Sequence, residues 1–133
     1  MPITDYLRKL EACLPQSSRI GIRASTLRAF SDAQGRVEIA LTFSDGSALH
    51  VAQVVNLEES DPVGKYGYHY QDARGKLIFR YDNKTHHRDL STFPNHKHVP
   101  EGVVAVQRPS LADVVAEALA HVVIGTLIGK AES

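Results

Sequence analysis

Arg36-Val37-Glu38-Ile39-Ala40-Leu41-Thr42-Phe43, then Ser44-Asp45-Gly46-Ser47, then Ala48-Leu49-His50-Val51-Ala52-Gln53-Val54-Val55-Asn56-Leu57, is the stretch that decides the fold. Val37, Ile39, Leu41 and Phe43 alternate with Arg36, Glu38, Ala40 and Thr42, a period of two that sends the apolar set to one side of a strand. Asp45-Gly46 tolerates positive φ and closes a tight hairpin, so Ala48 to Leu57 is the returning antiparallel strand.

The same grammar extends both ways. Upstream, Ile20, Ile22 and Ala24 alternate with Gly21, Arg23 and Ser25, and Thr26 to Phe30 prolong the run with an irregularity before the turn Ser31 to Gly35. Downstream, the acidic loop Glu58 to Pro62 leads to a strand over Lys65 to Gln71, and Asp72-Ala73-Arg74-Gly75 links it to Lys76 to Tyr81. Such short connections permit hairpins and not parallel crossovers. Asp82-Asn83 ends the strand period, and the chain to about Gly102 reads as polar and irregular, with Pro94 and Pro100 interrupting it, before one more strand over Val103 to Gln107.

Helices are expected at both ends. Tyr6, Leu7, Leu10, Cys13 and Leu14 recur at helical spacing behind Thr4 as cap, which predicts a buried, inert Cys13 thiol. Ser110 caps a second helix whose Leu111, Val114, Val115, Ala118, Leu119, Val122, Val123 and Leu127 form a broad apolar stripe. Gly125 and Gly129 weaken its last turns, where it would fray or dock against a partner subunit. The fold class is therefore α+β: a single domain over residues 1–133, an antiparallel meander of about five to six strands with an N-terminal and a C-terminal helix packed on it.

Composition sets the outer bounds. At 133 residues, 43% apolar and 23% charged, the chain has an ordinary globular make-up and none of the marks of a disordered or membrane protein. One cysteine cannot make an internal disulfide, and Met1 to Asp5 carries no basic region followed by an apolar run, so the expected location is the cytoplasm. Formal net charge is zero, but Lys65 to His98 holds seven Lys and Arg against three Asp, net +4 on a remainder of net −4. A basic segment on an acidic body suits an anionic partner, or simply solvated sheet edges.

That basic segment also holds five of the seven histidines. Imidazole titrates nearest neutrality, so the group can exchange protons at pH 7 or, neutral, bind a metal. His96-Lys97-His98 in extended backbone places both imidazoles on one side, and either His86 or His87 would complete three nitrogen ligands, making zinc conceivable. Against zinc stand the lack of a nearby cysteine, the lack of an established ligand spacing, and the charge of Lys97. The metal-free reading takes His96, His98, His86 and His87 as general acid and base candidates and uses no cofactor. Arg80 and Lys97 would bind phosphate, Tyr68 and Tyr70 shape a base pocket, and Asp82 and Asn83 line the substrate site. Two structural alternatives stand beside it: Tyr66, Tyr68 and Tyr70 as a packed aromatic row, and Arg80 paired with Asp82.

The ordered set Tyr66-x-Tyr68-x-Tyr70, Arg80-Tyr81-Asp82-Asn83-x-x-His86-His87 and Thr92-Phe93-Pro94-x-His96-Lys97-His98 resembles the TumE-like family of toxins from bacterial toxin-antitoxin modules. The resemblance implies a small α+β toxin restrained by a separately encoded cognate antitoxin that typically binds DNA. Lys84-Thr85 departs from the smaller, often Ala-Pro, step expected before the paired histidines. With the clustered imidazoles and local basicity, the expected activity is metal-independent RNA cleavage; a homo-oligomer is compatible and no membrane is implied. The alternatives are a non-catalytic protein-binding module and a metal-binding hydrolase.

Overall fold

The computed structural model describes residues 1–132, with side chains through Ile128. Among these residues the elements run α1 (Ile3–Ala12), β1 (Ile20–Ala29), β2 (Gln34–Phe43), β3 (Ala48–Asn56), β4 (Val63–Gln71), β5 (Leu77–Asp82), β6 (His96–Val99), β7 (Gly102–Ala105) and α2 (Leu111–Glu132). The seven strands form one sheet in sequential order, each antiparallel to its neighbours.

Two features of the β2–β3 hairpin fix the register. Gly46 has φ +84°, the left-handed value the turn requires, and Asp45 Oδ1 accepts the Ser47 N–H at 2.9 Å. Ile39 then faces Val51 and Leu41 faces Leu49. The pairing continues with Val51 opposite Tyr68 and Leu49 opposite Tyr70, so one sheet face is apolar from β2 to β5.

Both helices cover that face. Ile3 is buried in the core, with Tyr6, Leu7, Leu10 and Leu14 packed against it; Leu111, Val114, Val115, Ala118 and Val122 are the buried stripe of α2. Ser110 caps α2 as expected, its Oγ accepting the Asp113 N–H at 3.1 Å. By length and composition α2 could cross a membrane; in this fold its first three turns lay a buried stripe on the sheet and its last turns are exposed.

Four expectations need correction. Cys13 is exposed, because the last turn of α1 points Leu10 and Leu14 at the sheet and Cys13 away from it. Thr4 lies inside α1, whose N-cap is Pro2 without a side-chain hydrogen bond. The β1 irregularity falls between Ile22 and Ala24, not after Thr26. Leu127, expected in the covered stripe of α2, is exposed with Ile124 and Ile128, because the part of the helix that the sheet buries stops at Val122.

The segment read as irregular to Gly102 contains β6. Pro94 and Pro100 bracket this strand and do not interrupt it, and it pairs with β5 through Arg80–His98, Tyr81–Lys97 and Asp82–His96. Residues 83–95 remain the one long connection among the strands. Asn95 accepts the Tyr66 hydroxyl at 2.8 Å and so ties that connection back to β4.

Candidate functional site

Neither helix covers the second sheet face among the described residues. Strand alternation places His50, His69, Arg80 and His98 on it, and pairing of β3 through β6 sets these four in one row: His50 opposite His69, His69 opposite Arg80, Arg80 opposite His98. The next row holds Ala52, Gly67, Asp82 and His96. Small residues at Ala52 and Gly67 leave a groove of about 460 Å³, walled by Arg36, Lys65, Arg80, Lys84 and His86.

Gly67 has a specific job. An added Cβ would sit 2.5 Å from an Arg80 terminal nitrogen, so the guanidinium occupies the space a side chain would fill at this residue. Arg80 Nε donates to Asp82 Oδ2 at 2.9 Å, which fixes the fork and joins the groove to the histidines. Gly67→Ala is expected to push the guanidinium aside while leaving the melting temperature near wild type, because the atom that must move ends a flexible side chain. Affinity of the groove for an anionic ligand should fall about 10-fold, the loss of one charge-assisted hydrogen bond. A binding titration with unchanged affinity would show that Arg80 needs no such seat.

Beside Arg80 the histidines converge. His96 Nε2 lies 2.9 Å from Asp82 Oδ1 and 3.1 Å from His98 Nε2, and His98 Nε2 lies 3.5 Å from Asp82 Oδ2. His87, from the 83–95 connection, brings its ring 4.9 Å from that of His96 and 5.6 Å from that of His98, centroid to centroid. Asp82 and His96 are 1% exposed, whereas the His98 side chain is 32% exposed, so the cluster is rooted in the protein and opens to solvent at His98.

Environment fixes the charges. Burial pushes the Asp82 carboxyl up, but the Lys84 N–H, the Arg80 hydrogen bond and the nearness of His96 and of the Arg80 guanidinium outweigh it and hold the group below its usual range. Burial lowers the His98 imidazole, against the pull of Asp82, and the nearby His96, His87 and Arg80 lower it further, so it is neutral at pH 7 with a lone pair to offer. Burial likewise lowers His69, with Arg80 adding to the effect.

Of the sequence candidates, His87, His96, His98, Asp82 and Arg80 come together, and His86 stands at the groove wall. Others do not join them. Lys97 points to the helix face, where Nζ donates to Glu117 Oε2 at 2.7 Å and sits 4.9 Å from the centre of the Tyr81 ring, so it cannot share a phosphate with Arg80. The alternation that puts His96 and His98 on one side necessarily puts Lys97 on the other.

Tyr68 and Tyr70 are 1% and 0% exposed, members of the core in place of a base pocket. The Tyr68 hydroxyl accepts from Gln53 and that of Tyr70 meets Ser47, each at 2.7 Å. Asn83, by contrast, does line the groove with Arg80, while accepting the Tyr66 N–H and donating to the Gly64 carbonyl. His50 escaped the sequence reading: it lies outside the dense segment, and only the β3–β4 register reveals it beside His69.

A comparison with protein-family models matches residues 10–125, the span from the end of α1 through all seven strands to Gly125, to the family described as toxin TumE. No curated protein and no solved structure shows a significant match. The match makes the chain a toxin component of a toxin-antitoxin module, with a cognate antitoxin as its implied partner. Covering most of the sequence and every element that builds the open face, it shows that this chain belongs to the TumE toxin family.

Proposed function

We propose that this toxin acts on RNA in the cytoplasm, seating the strand along the open sheet face and cutting it at the histidine centre. The observation that carries the reading is the joining of a cationic groove to three converging imidazoles through one ion pair, Arg80 with Asp82. In the cleavage, the ribose 2′-hydroxyl oxygen attacks phosphorus and the bond from phosphorus to O5′ breaks. One proton leaves the hydroxyl for a base, and an acid returns one to O5′, giving a 2′,3′-cyclic phosphate and a 5′-hydroxyl. Imidazoles near neutrality suit both transfers, and the remaining Arg80 N–H groups suit the charge gathering on phosphate.

The helix face supports no equal reading. Its cleft of about 420 Å³ contains Lys97, Glu117 and His121, but the Lys97 charge is matched by Glu117, leaving no surplus to attract a polyanion. Purified toxin incubated with single-stranded RNA is expected to yield fragments ending in cyclic phosphate and beginning with 5′-hydroxyl, read by end-specific labelling. Folded protein that stops growth yet leaves all RNA intact would remove RNA as its substrate and favour a binding module.

A further inference from the structure

His96 cannot meet its neighbours with an ordinary neutral hydrogen-bond pattern. Its Nδ1 lies 2.9 Å from the Pro94 carbonyl, which only accepts, so the ring hydrogen sits on Nδ1. Neutral His96 therefore presents a lone pair at Nε2, and that nitrogen is 2.9 Å from an ionised carboxylate oxygen and 3.1 Å from another imidazole nitrogen. Asp82 is already an acceptor twice over, from the Lys84 N–H at 3.0 Å and from Arg80 Nε at 2.9 Å. Electron pairs pointed at one another inside a protein need positive charge between them.

A proton on His96 Nε2 would serve one or two of these contacts. It would not account for His87, whose ligand nitrogen lies with those of His96 and His98 inside a 4.8 Å set. The three rings stand at 68°, 68° and 80° to one another, a pinwheel about a shared point and not a stack. Nitrogens bound at about 2.0–2.1 Å around a tetrahedral cation are roughly 3.3 Å apart, close to the spacing of His96 and His98. The objection from Lys97 is gone, since its charge lies on the far face of the sheet.

We propose that His87, His96 and His98 form a binding site for one first-row divalent cation of the zinc type, with Asp82, beside His96 and His98, as the adjoining carboxylate. Imidazoles with one carboxylate suit such an ion, and the partners around them suit its ligands: the Pro94 carbonyl orients His96, while Arg80 and the Lys84 N–H orient Asp82. His87, carried by the 83–95 connection, would supply the third imidazole to strand β6's two. This assignment rests on the same centre as the proposed RNA reaction; with the cation bound, His87, His96 and His98 hold it and do not exchange protons, and His86, at the groove wall, is the imidazole left for proton transfer.

The test uses full-length toxin carrying no polyhistidine tag, stripped with chelator, titrated with zinc and passed through gel filtration before elemental analysis. One equivalent is expected to remain bound and to raise the melting temperature, and His87→Ala should weaken zinc binding at least about 10-fold with its metal-free melting temperature unchanged. Less than about 0.1 equivalent on wild type, or equal affinity in His87→Ala, overturns the site. RNA assays on the same samples separate the two ideas: zinc held without any cleavage keeps the metal site and removes the RNA reading, whereas RNA cut by protein that holds no zinc does the reverse.

Discussion

Asp82→Ala is expected to cost the fold about 3–5 kcal/mol, the scale on which removing one partner of a buried ion pair strands the others. The carboxylate is 1% exposed and receives Arg80 Nε and the Lys84 N–H while facing His96 and His98. Its loss leaves a guanidinium without its anion and a backbone N–H without an acceptor, next to a buried imidazole. A typical domain holds only 5–15 kcal/mol in all, so the variant should melt far below wild type or accumulate poorly. Urea unfolding measures the change, and Asp82→Asn, which keeps the shape and one acceptor oxygen, should lose less. A shift under about 1 kcal/mol for the alanine variant would mean that the centre is not held together by this carboxylate.

The second large effect belongs to Arg80. Its Nε is bound to Asp82, so the terminal nitrogens over Gly67 are the part directed at the groove. Lysine has no fork and cannot both hold Asp82 and reach a phosphate. Arg80→Lys is therefore expected to lower RNA cleavage by about 10²–10³-fold, the usual cost of one preorganised donor, while preserving net charge and most of the stability. Single-turnover cleavage of a labelled oligonucleotide is the assay. Retained cleavage would show that charge alone, without the fixed geometry, is enough.

Much of this architecture is legible in the residues. The Val37 to Phe43 alternation and Asp45-Gly46 specify the central hairpin, and Ser110 marks the start of α2 by the hydrogen bond it makes. The strand β6 is not legible in that way. Of its four residues only Val99 is apolar, so hydrophobic alternation, the signal that reveals β2, is absent.

The site divides along the same line. Nearness of His96 to His98 follows from two-residue spacing, and Arg80 with Asp82 from the strand they share. Placement of His87 follows from the path of the 83–95 connection, and His50 beside His69 from pairing between strands. Both depend on long-range contacts that local pattern does not encode. The expected roles of Lys97, Tyr68 and Tyr70 gave way to the same cause: clustering in sequence groups residues that a pleated strand distributes over opposite faces.

The most direct test compares two neighbours on β6. His98→Ala and Lys97→Met, each shown to be folded by circular dichroism and thermal melting, are assayed side by side for RNA cleavage. With the open face as the working surface, His98→Ala should lose at least about 100-fold, the scale of one acid-base or electrostatic contribution, while Lys97→Met stays within a few-fold of wild type. Full activity in His98→Ala together with its loss in Lys97→Met would contradict that assignment and move the chemistry to the helix face.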